Sequence, residues 1–137
     1  MSFGILPFDD RFIDGVVAIC AAEGWPSFGE HPELARKALV APGVTTVVAV
    51  EDGIVIGFAE GQGDGVLQGH LSLIGVRKDR RRRGIARAML AELFSRMGVQ
   101  RLDLITDSAE VAFYESLRHF EMRGFRIYPY GDGDLSG

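Results

Sequence analysis

The dipeptide Asp52-Gly53 is the feature that most restricts what this chain can fold into. A two-residue hairpin turn needs positive φ at its central positions, and Asp-Gly supplies that at low steric cost. The dipeptide separates residues 45–51 from residues 54–60, both rich in Val, Ile and other strand formers. Two such runs read as an antiparallel hairpin. The glycine-rich stretch 61–65 then reads as a second turn, and residues 66–76 as a third long strand. A meander of three strands must bury at least one face, so the rest of the chain has to supply covering helices.

The flanking sequence does so. Residues 3–8 read as a short first strand, stopped by Pro7 and by Asp9-Asp10, either of which can cap a helix running to about residue 22. Within that helix Phe12, Ile13, Val16, Val17, Ile19 and Cys20 recur with helical spacing. Residues 24–27 read as a loop. Residues 31–40 read as a second helix with Pro32 in its first turn, ended by Ala41-Pro42-Gly43. Beyond the meander the period becomes helical over residues 84–97, where Ile85, Met89, Leu90, Leu93, Phe94 and Met97 share a face and Gly98 marks the stop. Residues 101–106 read as a strand, 108–117 as a helix, 124–130 as a last strand and 131–137 as a frayed tail. The order β-α-α-β-β-β-α-β-α-β predicts an α/β (α+β) fold: a mixed, mostly antiparallel sheet flanked by helices. No repeat or linker interrupts it, so residues 1–137 are expected to form a single domain.

A chain of 137 residues with a net charge of -4 is not a natural polyanion binder, so any anion site must be local. Its single cysteine, Cys20, lies in an apolar run and cannot form an internal disulfide, which fits a reducing, cytoplasmic setting. The first ten residues lack a basic segment followed by a long apolar one, so no signal peptide is expected. No apolar stretch reaches the roughly 18–20 residues of a membrane span, so no membrane partner is expected either.

The most informative chemistry lies in Arg77-Lys78-Asp79-Arg80-Arg81-Arg82-Arg83-Gly84-Ile85-Ala86, between a strand and a long helix. Backbone N–H groups at a helix start have no partner within the helix. No Ser, Thr, Asn or Asp stands just before Gly84 to cap them. Gly84 and Ala86 let a ligand approach the backbone, and a pyrophosphate would satisfy the N–H groups and the positive end of the helix together. Arginines add charge-assisted hydrogen bonds. A basic run is also compatible with a solvated face or a nucleic-acid patch. The acidic balance and the confinement of the basic residues to one loop argue against nucleic acid.

Arg81-Arg82-Arg83-Gly84-Ile85-Ala86, followed by Ala112-Phe113-Tyr114-Glu115 and Gly124-Phe125, resembles the GNAT superfamily of N-acetyltransferases, whose motif Q/R-x-x-G-x-G/A it matches. The element order resembles that family over nearly the whole chain. The resemblance implies that the backbone of residues 81–86 holds the pyrophosphate of acetyl-CoA and that no metal is used. It implies that the backbone of Ile74 and Val76 binds pantetheine on a strand distorted near Gly75, with Asp107 and Phe113 also beside the cofactor. It implies that Tyr114 is the general acid for the departing thiolate. Counting back from Gly124-Phe125 instead puts Phe120 at that position. Asp107 stands where the family commonly has asparagine, and it can equally cap the following helix. The resemblance further implies a homodimer interface through the last strand, with Phe125, Ile127 and Tyr130 as candidates.

An amine with a pKa of about 10.4 is neutral only about 0.04% of the time at pH 7, so a base or a pKa-lowering site helps the transfer. The candidates are Glu60, Asp64, His70 and Glu23, or a chain of waters. The family attacks the thioester directly, so Cys20 is not required as a nucleophile. Trp25 and Phe28, with Glu23, lie where the family has its substrate-side loop, and they either line an acceptor pocket or close over the core. The expected activity is acetyl transfer to a primary amine of a small molecule or peptide. A non-catalytic acyl-CoA-binding module is the alternative.

Overall fold

A five-stranded sheet in the order β1-β2-β3-β4-β5 organises the first of two units of this chain, residues 1–103; residues 104–137 form the second. The computed structural model describes residues 2–107 and 109–136. The strands are β1 (Gly4–Pro7), β2 (Val44–Glu51), β3 (Ile54–Gly63), β4 (Gln68–Val76) and β5 (Arg101–Asp103). The first four pair antiparallel in sequence order, and β5 joins β4 in parallel. Asp52 and Gly53 form the hairpin turn with φ of 53° and 76°.

The helices of this unit are α1 (Ile13–Glu23), α2 (Pro26–Gly29), α3 (Pro32–Leu39) and α4 (Ile85–Met97). A 3-10 turn, Asp10–Phe12, precedes α1, and Asp9 caps it by accepting from the Arg11 N–H. Residues 24–27, expected as a loop, contain the start of α2, because Pro26 suits a first helical turn.

Alternation along β3, shifted by one residue at a bulge that leaves Ile56 unpaired opposite Ala49 and Val50, divides the core in two. Phe58 and Val55 pack with Phe12, Val16, Ile19 and Cys20 beneath α1. On the other face α4 lies against glycines. A Cβ on Gly57 would stand 3.1 Å from Met89 Cε, and one on Gly61 2.5 Å from Met97 Sδ. This explains why the expected turn at 61–65 does not begin at Gly61. Those glycines make room for the helix, and the strand continues through Gly63.

α1 is seated equally closely. A Cβ on Gly15 would lie 2.6 Å from Val55 Cβ, at the stiff base of a branched side chain. Gly15→Ala is therefore expected to destabilise by about 1–3 kcal/mol through overpacking. Thermal unfolding should show a midpoint lowered by about 4 °C or more.

Among its described residues the second unit holds one helix, α5 (Val111–Glu115), shorter than the expected 108–117; Ser108 lies outside the described residues. Residues 124–130 do not form the expected strand. Phe125, Ile127 and Tyr130 keep their strand-like composition, but no ladder pairs them among the described residues and all three are exposed.

Candidate active site

Among the described residues, β4 has a strand paired on both sides only over its first three residues. Gln68, Gly69 and His70 pair with Arg101, Leu102 and Asp103, and the ladder ends there while β4 runs on to Val76. Towards β3 the pairing continues to the end, with the Arg77 N–H donating to the Ile56 carbonyl at 2.8 Å. In an antiparallel pair, alternate residues bond the neighbour and the others face away from it. Counting from Arg77, the backbone groups of Ile74 and Val76 face away from β3, on the edge where β5 pairs further back along the strand. The register slips opposite Glu60 and Gly61, making Ser72 the extra residue of a β-bulge. The expected distortion at Gly75 is absent: Gly75 pairs regularly with Phe58. It is a glycine because a Cβ would meet Ile19 Cγ2 at 2.9 Å and the Trp25 ring at 3.6 Å.

β4 leads through a 3-10 turn, Lys78–Arg80, into α4. Arg82 and Gly84 both take left-handed conformations, with φ of 64° and 78°. Backbone turns of this kind gather N–H groups into an anion-binding concavity. No side chain caps the start of α4. An anion there would meet N–H groups that have no partner within the helix and the positive end of a 13-residue helix.

The arginines of this loop are mostly engaged within the protein, which no local sequence signal discloses. Arg77 donates to Asp79 at 2.8 Å, and Arg80 to Asp79 at 2.9 Å, which accounts for the one acid inside the basic run. Arg80 Nε also reaches Glu51 Oε1 at 2.9 Å, and Arg83 Nη2 reaches Glu51 Oε2 at 2.5 Å. Arg81 pairs with Glu23, at the end of α1, and its Nε donates to the Val76 carbonyl at 3.2 Å. The hydrogen bonds from Arg83 and then Arg80 hold the Glu51 carboxyl down at about 2. Arg82 has no ion-pair partner among the described residues.

On the α1 face of β3, Glu60 is 2% exposed, and its Oε2 has no hydrogen-bond partner among the described residues. Its Oε1 accepts from Gln62 Nε2 at 3.1 Å. Burial pushes the Glu60 carboxyl up, opposed by the Gln62 hydrogen bond and the charge of His70. The other base candidates differ. Asp64 closes the β3–β4 turn, accepting from the Val66 and Leu67 N–H groups at 2.7 and 2.8 Å, and those bonds, Leu67's foremost, hold its carboxyl down. Glu23 is engaged with Arg81. His70 is exposed at the last rung of the β4–β5 ladder, opposite Asp103, which the sequence reading did not single out. An open cleft of about 650 Å³ beside it is lined by Gln62, His70, Arg101 and Asp103. Burial, then the charge of Glu60, pushes the Cys20 thiol up to about 12, so it holds its proton.

Trp25 and Phe28 pack against the α1 core, with the Trp25 ring edge-on to Phe58 at 6.4 Å between centroids. A second groove, about 510 Å³, is lined by Ala18, Ile19, Glu23, Val76 and Arg77.

In the second unit Tyr114 is half-buried on α5, its ring 5.1 Å from that of Phe113. Burial, then the charge of Glu110, pushes its phenol up to about 12. Phe120, the other candidate for that position, is 85% exposed. Asp107 does not cap α5, whose cap position is Glu110; it accepts from the Ala109 N–H at 3.5 Å. Among the described residues no helix is long and apolar enough to cross a membrane, and no group of three or more His, Cys, Asp or Glu is placed to hold a metal ion.

The profile of the family described as "Acetyltransferase (GNAT) domain" matches residues 42–117. No curated protein matches the chain. Among solved structures, aminoglycoside N-acetyltransferase AAC(6')-Iy in complex with CoA is 20% identical over 93% of each chain, with a TM-score of 0.74. Ribosomal-protein-alanine N-acetyltransferase from Brucella melitensis biovar Abortus 2308 is 20% identical over 95% of this chain and 100% of its own, also at 0.74. An acetyltransferase from Trypanosoma brucei is 17% identical over 93% and 99%, at 0.73. At these identities the likeness is one of fold: a mixed sheet flanked by helices, as the element order predicts.

Proposed function

The chain belongs to the GNAT acetyltransferase family, and from that premise we propose that it moves an acetyl group from acetyl-CoA to a primary amine of a small molecule or peptide by direct attack in a ternary complex. One observation carries this reading. Among the described residues no strand pairs the β4 edge beyond His70, and that edge leads through the 77–84 loop to the uncapped start of α4. An extended polar arm ending in a pyrophosphate fits that continuous edge and concavity.

The outward backbone groups of Ile74 and the Val76 N–H would hold the arm, since Arg81 already engages the Val76 carbonyl. Gly84, Ile85 and Ala86 would offer N–H groups to the phosphates, and Arg82 a guanidinium. When bound, acetyl-CoA supplies the thioester. Glu60 is the residue best suited to take a proton from the amine: it is buried, incompletely hydrogen-bonded, and its carboxyl lies above its ordinary value, which makes it a stronger base. His70, exposed and paired opposite Gln62, is the second base candidate. Tyr114 is the acid proposed for the departing thiolate by its place in the family motif; it keeps its proton at neutral pH, while the burial that raises its phenol makes it a weaker acid than a free tyrosine. The whole chain would act as one such domain, in a reducing cytoplasm suited to a single buried thiol. The amine acceptor agrees with the names of two structural neighbours, one acting on aminoglycosides and one on a ribosomal-protein alanine.

Calorimetric titration with acetyl-CoA, followed by a thiol-release screen over small amines and peptides, tests the proposal. Micromolar binding with turnover is expected. Binding without turnover on any amine would favour a non-catalytic acyl-CoA-binding module. No binding by folded protein would overturn the cofactor site.

A further inference from the structure

We infer that Glu51, at the end of β2, is a positioning residue for the anion loop: its carboxylate holds Arg80 and Arg83 and so sets the backbone that receives a phosphate-bearing ligand. The inference rests on the CoA site proposed above.

Glu51 is 8% exposed and immediately precedes the Asp52-Gly53 turn, so its backbone is fixed by the hairpin. Both of its oxygens are used: Oε1 by Arg80 at 2.9 Å and by Arg83 Nη1 at 3.3 Å, and Oε2 by Arg83 Nη2 at 2.5 Å. Two arginines from one loop thus share a carboxylate brought from 29 and 32 residues away. Arg81 is tied separately to Glu23 and to the Val76 carbonyl. Arg82 lies between these anchors with φ at 64°, a conformation that a residue with a Cβ adopts only where its surroundings impose it. The clamps on either side impose it here. They leave the Arg82 side chain exposed beside the concavity that its own backbone helps to form.

Charge and position make opposite predictions, which gives the experiment its force. If Glu51 mattered only through its charge, removing it would leave two uncompensated arginines beside the anion site, and a phosphate-bearing ligand would bind more tightly. If Glu51 sets the loop, the same substitution frees Arg80 and Arg83, the concavity loosens, and that ligand binds more weakly. A ligand without phosphates should not register the change.

The test titrates wild type and Glu51→Gln with CoA and, in parallel, with pantetheine, the same arm without its phosphates. The expected result is a CoA affinity lowered about tenfold, with pantetheine affinity changed less than about twofold. Unchanged or tighter CoA binding overturns the inference, as does an equal loss for both ligands. Should circular dichroism show Glu51→Gln to be unfolded, Arg83→Lys decides instead. It keeps the positive charge but not the two-pronged grip on the carboxylate, so the same CoA-selective loss is expected and unchanged CoA binding refutes the role. A wild type that binds CoA no better than pantetheine overturns the CoA site itself and this inference with it, a result distinct from all the others.

Discussion

Gly84→Asp is expected to weaken CoA binding at least about 100-fold while leaving a folded protein, as read by calorimetric titration and circular dichroism. A factor of 100 is about 2.7 kcal/mol, and two effects supply it. The new carboxylate sits at the start of α4, where it repels a phosphate and competes for the same N–H groups and helix dipole. The left-handed φ of 78° also disfavours a side chain, by roughly 1–2 kcal/mol for most residues and less for Asp, and relief of that strain moves the backbone donors. The fold should tolerate the change, because a Cβ on Gly84 meets nothing within 4 Å. Gly84→Ala separates the two effects: it carries the strain, in fuller measure than Asp, without the charge, and should lose only part of the affinity. If Gly84→Asp binds CoA like wild type, the phosphates are held elsewhere.

Glu60→Gln should lower kcat/KM by about 100-fold or more, the scale of general base catalysis, and at the same time stabilise the protein at neutral pH. The two effects have one origin. Burial holds the Glu60 carboxyl above its ordinary value. As pH rises past about 4.3, the unfolded chain loses this proton before the folded chain does. In that window the unfolded state binds fewer protons than the folded state, so stability falls with rising pH, and the loss is complete above the folded value. Glutamine has no proton to lose, so the variant should lack that slope and melt higher than wild type at pH 7–8. The rising limb of wild-type kcat/KM against pH should lie above the usual carboxylate range and be absent from Glu60→Gln. Full activity in the variant would remove Glu60 from the chemistry and return attention to His70 or water.

The parts of the fold legible in the sequence are those set by neighbouring residues. Asp52-Gly53 specifies its own turn, and Gly84 and Gly98 bracket α4 because left-handed helix ends favour glycine. What escaped the reading depends on residues far apart in the chain. Gly61 resembles a turn residue until Met97 and Leu93 are known to lie over it. The bulge falls at Ser72 and not at Gly75, because a bulge is a mismatch in count between two strands and neither strand records it alone. Residues 124–130 have strand composition, but a strand also needs a partner. In the candidate site, the motif residues 81–86 were readable as an anion loop. The ion pairs with Glu23 and Glu51, which divide the loop arginines into anchors and one, Arg82, with no ion-pair partner among the described residues, link positions 29 to 58 residues apart and leave no local signature.

The strand order β1-β2-β3-β4-β5 also bears on how the molecule assembles. β2, β3 and β4 are joined by turns alone, so their ladders close at little entropic cost. β1 must find β2 across more than thirty intervening residues, and β5 must find β4 across the whole of α4. Folding is therefore expected to begin in the meander, with the outer strands added later. The anion loop, strung between β4 and α4, gains its shape only once that helix has docked, so the ability to bind phosphate should be among the last properties a refolding chain recovers.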